Sequence, residues 1–303
     1  MNDSQSGDRL QEFVNSADVK SRLADLDRAI VELRFTEGLR RNWAAARAEA
    51  SVELAHFEST IDGARTDLAE LRVATLSAGT TGSNTGLAAS TPSWMEKTEN
   101  QPGAETGGTN AQDGTGATGV ADPSVLHALD YWKAHRFVER TWPPLNSRGP
   151  VRVVEQPLPR VLSGIHKILT GRLASEHLIR EGDVAIPSDP QALQGVNQIL
   201  NAQLPAPVRA GLLIWFAGQR PAFASHSVQV ARTFARHHLV MSGYEPTGTL
   251  LASLEVARSN DALAAFSNPD PRPWLSAYID AMRAATGPTL EMIRHVQAGR
   301  LPQ

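Results

Sequence analysis

The sequence predicts an all-α protein. Three observations carry that reading. Apolar residues recur at spacings of three and four through most of the chain, alternating polar and apolar runs are nearly absent, and Pro or Gly marks the breaks between periodic stretches. One long stretch rich in Gly, Ser, Thr and Asn divides the chain, so the expected organisation is an N-terminal helical segment (residues 1–73), a linker (74–121) and a larger helical domain (122–303).

The elements follow in order. Asp18 to Leu33 reads as an amphipathic helix, with Val19, Leu23, Leu26, Ile30 and Leu33 on one face. A second helical region, rich in Ala, Glu, Arg and Leu, is expected from Thr36 to Leu71, with Gly38 and Gly63 as interruptions. From Ala74 to Ala121 there is too little apolar surface to offset the entropy of ordering the chain, so a disordered linker is expected, with Ser93-Trp94-Met95 as a lone apolar island. Asp122-Pro123 then has the form of an N-cap followed by an early Pro. Further helices are expected over Leu158–Thr170, Asp189–Gln203, Ala206–Gly218, Ser225–Ser242, Thr247–Ala257 and Arg272–Thr286, with a last one after Pro288. The only strand signals are Val151–Val154 and Asp183–Ile186, which together could form one short β-hairpin flap.

Composition excludes several function classes. Among 303 residues there is no cysteine, which rules out disulfides, Cys-based zinc sites and thiol catalysis. A net charge of −3 gives no basic surface for nucleic acid. The N-terminus lacks the basic and apolar regions of a signal peptide, and the most apolar window, Val208 to Phe216, is short and contains Arg209. The chain is therefore expected in the cytoplasm, with neither membrane nor nucleic acid as partner.

Three segments carry more information. The first is Arg47-Ala48-Glu49-Ala50 followed by Glu58-Ser59-Thr60-Ile61-Asp62-Gly63. The second begins at Val125 and continues through Leu162-Ser163-Gly164-Ile165-His166. The third is Arg220 to Arg236, followed by Trp274-Leu275. In this order they resemble the Fic family of nucleotidyl transferases, all-helical enzymes that move AMP from ATP to a hydroxyl side chain of a target protein. The first segment is similar to that family's inhibitory helix, E-A … S-S-x-I-E-G. The resemblance implies a Fic-like helical domain, a nucleotide site at Arg232, Ser227 and Gln229, and an inhibitory pair in which Asp62 faces Arg232 where ATP would place its γ-phosphate.

The departures from H-P-F-x-D-G-N-G-R-x-x-R are chemically specific. With Phe223 on the motif Phe, Arg232 falls on the final Arg, Pro221 replaces the general-base His, Ser225 the magnesium-binding Asp, Val228 the second Gly and Gln229 the first Arg. Pro can neither accept nor donate the proton. A Ser hydroxyl is a poor ligand for a hard dication. A β-branched side chain obstructs the approach of phosphate to backbone N–H groups. The expectation is a catalytically inactive Fic-like protein that binds or regulates a protein partner, either an active relative or a second copy of itself, with no cofactor and no metal. One alternative is a transferase with a non-standard motif, using ATP and magnesium, in which His226 replaces the missing base. Another is a helical scaffold unrelated to the family. His166 is expected to be a satisfied core residue. His237 and His238 are adjacent, so they point apart and do not form a metal site.

Overall fold

The computed structural model describes residues 3–81, 122–146 and 156–300. Among these residues there are helices and turns and no strand. The predicted amphipathic helix is α2 (Ala17–Arg34), capped by the Ser16 hydroxyl on the Val19 N–H, with the five predicted apolar residues buried. Ahead of it lies α1 (Asp3–Asn15), where the sequence reading placed no helix.

The second helical region resolves into α3 (Glu37–Ile61) and α4 (Leu68–Thr81). Gly63 behaves as expected: its φ of 91° ends α3 directly after Asp62. Gly38 does not interrupt the helix. It lies inside the first turn of α3, and a Cβ there would come within 2.6 Å of Ile293 Cγ2, so its role is close approach to the last helix. The expected linker start at Ala74 is also too early, because α4 runs on to Thr81. The rest of that stretch, including Trp94, lies outside the described residues.

Next come α5 (Pro123–Glu139), α6 (Leu158–Ser175), α7 (Pro190–Asn201), α8 (Ala206–Gln219), α9 (Ser227–Met241), α10 (Ala252–Arg258), α11 (Asn260–Phe266) and α12 (Pro271–Gln297). Asp122 caps α5 as predicted, accepting from the Ser124 N–H. α11 was not anticipated. The two helices expected around Pro288 are one, α12, which continues through that proline. Half of the expected flap is absent: Glu181–Asp183 is a single 3-10 turn and Ala185 has a φ of 64°. Its other half, Val151–Val154, lies outside the described residues.

Two apolar cores share a partition made of α3, α8 and α9. On one side Leu39, Ala46, Ala50 and Leu54 of α3 join Leu26 and Ile30 of α2 and Leu275, Ile279 and Met282 of α12. On the other, Val52 and Ala55 of α3 meet Val125, Ala128 and Tyr131 of α5 with Ile165 and Leu169 of α6. The helices before residue 82 are thus built into the same cores as those after residue 122. The driving force is apolar burial, at roughly 25 cal/mol per Å² removed from water.

Candidate functional site

Two helices of the partition, α3 and α9, and their neighbour α5 each bring a polar stripe to one place. On α3 the stripe is Glu58 and Asp62, one turn apart. On α5 it is His127, Tyr131 and His135, at intervals of four. On α9 it is Gln229, Arg232 and Arg236, at intervals of three and four. Sequence reasoning singled out Asp62, Gln229 and Arg232 and missed the α5 stripe. The four-residue spacing of His127, Tyr131 and His135, which sets them on one face of the helix, was the available signal.

Asp62 is the centre of the site. Its backbone, at the end of α3, is open to solvent, but its side chain is only 15% exposed. The Arg232 guanidinium donates to Oδ1 at 3.3 Å. On Oδ2, Gln229 donates at 3.1 Å, the Tyr131 hydroxyl also donates, and His127 Nε2 lies 3.8 Å away. Burial alone would raise the carboxyl pKa. The His127 ring, the Arg232 charge and the Tyr131 and Gln229 hydrogen bonds outweigh it and hold the pKa down at about 2. Every one of these partners comes from α5 or α9, so the part of the chain after the divide forms a carboxylate receptor that the part before it fills.

Glu58, 2% exposed, is a second buried carboxylate just below. Burial pushes its pKa up, but His135 Nε2 at 3.2 Å, the Arg232 charge and the Ser253 hydroxyl donating at 2.8 Å bring it below the usual range. Glu58, which replaces a Ser of the resembling motif, is therefore a built-in part of the site.

The loop before α9 is equally committed. The Ser227 hydroxyl accepts from the Phe223 N–H at 2.9 Å and donates to the Phe223 carbonyl at 3.2 Å, which closes the loop on itself. Ser227, which the resemblance places at the nucleotide, is buried and its hydroxyl is used within the loop. Gln229 and Arg232 are turned to Asp62. His166 stacks on Phe223 with ring centroids 4.2 Å apart, as befits a satisfied core histidine. The Ala185 N–H donates to its Nδ1 at 2.9 Å, so Nε2 carries the proton and donates to the Ser225 carbonyl at 3.2 Å. Burial holds its pKa down at about 4, so the ring is neutral.

His226 is the N-cap of α9 and sits in the left-handed region at φ 56°, on the position of the motif's first Gly. Its Nδ1 and the neighbouring Ser225 Oγ are buried without a hydrogen-bond partner among the described residues. Burial, followed by the His127 charge, lowers the His226 pKa. His237 accepts from the Trp142 indole N–H at 2.9 Å and does not share a site with His238. Among the described residues no group of three His, Asp or Glu side chains could hold a metal ion, and no helix is long and apolar enough to cross a membrane.

No protein-family model matches the chain, and no curated protein matches it.

Proposed function

We propose that the chain is a catalytically inactive Fic-like protein that acts as a binding or regulatory partner of another protein. The observation that supports this best is the Asp62–Arg232 pair. The arginine that the resemblance assigns to a nucleotide phosphate is occupied by a carboxylate of the chain itself, and Gln229 is held by the same carboxylate. The motif also lacks the proton acceptor and the metal-binding carboxylate that transfer of AMP requires. The protein that it regulates would be an active Fic relative or a second copy of the chain.

The test is a calorimetric titration of the full chain with ATP and magnesium, run beside an assay for transfer of labelled AMP. No transfer, and no ATP binding while Asp62 is in place, is the expected result. Transfer to the chain or to a lysate protein that His226→Ala abolishes would overturn the proposal. That outcome would favour the second reading, a transferase with a non-standard motif, for which the unpartnered Nδ1 of His226 is the one supporting observation.

A further inference from the structure

Asp62 fills its site from a part of the chain that is weakly held. It directly precedes Gly63, whose φ of 91° ends α3 and around which there is open space. Three backbone hydrogen bonds close this end: the Asp62 N–H to the Glu58 carbonyl at 3.3 Å, the Gly63 N–H to the Thr60 carbonyl at 3.0 Å and the Ala64 N–H to the Ser59 carbonyl at 2.9 Å. Thr60, Gly63 and Arg65 are exposed, so water takes over these bonds when the turn opens. A carboxylate is also the wrong charge for this end of a helix, since the last carbonyls of α3 repel it; a carboxylate from outside does not carry that penalty.

The groups that receive the carboxylate cannot do without one. Tyr131 is fully buried, and the Arg232 side chain is 15% exposed, with Asp62 as its only hydrogen-bond partner among the described residues. Glu58, the other carboxylate near that guanidinium, is committed to His135 and Ser253. Removing one partner of a buried ion pair strands the other, which costs more than the loss of an exposed turn. An empty receptor is therefore unfavourable, whereas exchange of one carboxylate for another is not.

The arrangement is specific to that group. Arg232 meets one oxygen, while Gln229, Tyr131 and His127 converge on the other. A carboxylate supplies two acceptor oxygens and the balancing charge; a water supplies neither the second oxygen nor the charge. All four receiving groups sit on α5 or α9, so the receptor stays assembled when the end of α3 moves.

We infer that this receptor is a docking point for a carboxylate of another protein, an Asp or Glu side chain on an exposed turn, which takes the place of Asp62. The inference rests on the reading of the chain as a binding partner and names the chemistry that it binds.

The test is an NMR titration of the isotope-labelled full chain with the blocked tripeptide acetyl-Gly-Asp-Gly-amide, with the Gly-Asn-Gly peptide as control. The Gln229 side-chain amide and the Arg232 Nε–H report on the site. Asp62→Ala removes the internal competitor and should bind the Asp peptide about tenfold or more tightly than wild type. Gly63→Ala leaves all four receiving groups in place. It sets a methyl, without a clash, on a left-handed residue, so it strains the turn that holds Asp62 and should tighten binding by about fivefold. Equal binding of the Asp and Asn peptides by Asp62→Ala would overturn the inference, as would a Gly63→Ala protein that binds the Asp peptide no better than wild type. Transfer of labelled AMP is a separate result: it would remove the inactive reading and leave the peptide comparison standing.

Discussion

Arg47 of α3 donates its Nε–H to the carbonyl of Thr247 at 2.8 Å, which ties a helix from before the divide to the loop between α9 and α10. The same guanidinium donates to the Pro246 carbonyl at 2.9 Å and lies over the rings of Trp43 and Trp142, 5.0 and 5.1 Å from their centroids. Burial brings its pKa down to about 10, which leaves it charged at any physiological pH. Arg47→Ala would strand two buried carbonyls and two aromatic faces. The expected loss is about 3 kcal/mol, seen as a lower denaturant midpoint at unchanged slope. Arg47→Lys should recover only part of it, because an ammonium cannot reproduce the planar fork.

Asp62 should mark the acid limb of stability. Its carboxyl is depressed to about 2 in the folded chain, against about 3.9 in an unfolded one. The stabilisation is therefore complete above about pH 4 and is lost as the pH falls through about 2. With allowance for partial solvent access it amounts to about 1–2 kcal/mol. Asp62→Asn should be less stable than wild type by that amount at pH 7, and the two unfolding curves should converge as the pH approaches 2.

Glu53 should act in the opposite direction. It lies 3.6 Å from Arg72, beside Glu49, which is also bonded to Arg72. Burial and then the Glu49 charge raise the Glu53 carboxyl to about 7. A carboxyl raised on folding binds its proton more tightly in the native state, so stability falls as the pH rises from the unfolded value of about 4.3 through about 7. Glu53→Gln should remove this slope and, at pH 8, exceed wild type by about 1–3 kcal/mol in chemical denaturation.

Gly248 is fixed by two constraints. Its φ is 67°, and a Cβ there would stand 2.4 Å from Trp142 Cζ3. Gly248→Ala adds left-handed strain to a clash with the ring that Arg47 and Arg236 both cover. A loss of about 2–4 kcal/mol is expected in a thermal or denaturant melt. Gly171→Ala, with open space around the new methyl on an α6 helical position, is the control and should be neutral or slightly stabilising.

The helices were legible where an apolar stripe and a cap coincide, as in α2 with Ser16 and α5 with Asp122. α1 was missed because its residues are mostly polar, and α12 was cut in two because Pro288 reads locally as a stop. Tertiary burial overrides that stop: the flanking Ala285, Thr289, Met292 and Ile293 are all buried. At the site, Asp62 and Arg232 were legible through the ordered resemblance alone. The spacing of Tyr131 with His127 and His135 marks a shared helix face, but the partners of Tyr131, Glu58 and Arg236 lie on other helices, and no local spacing encodes those pairings. Treating the pair as exposed would limit it to about 1 kcal/mol; with four partners around one carboxylate that limit no longer applies.

The long helix α12 has a consequence for how the chain is made. Its buried face covers Leu26 and Ile30 of α2 and sits against Gly38 of α3. At about 5–20 residues per second, a ribosome needs on the order of ten seconds or more to travel from Arg34 to Pro271. Throughout that interval the apolar stripe of α2 lacks the helix that covers most of it. A truncation anywhere before α12 should therefore give an insoluble product rather than a smaller folded one.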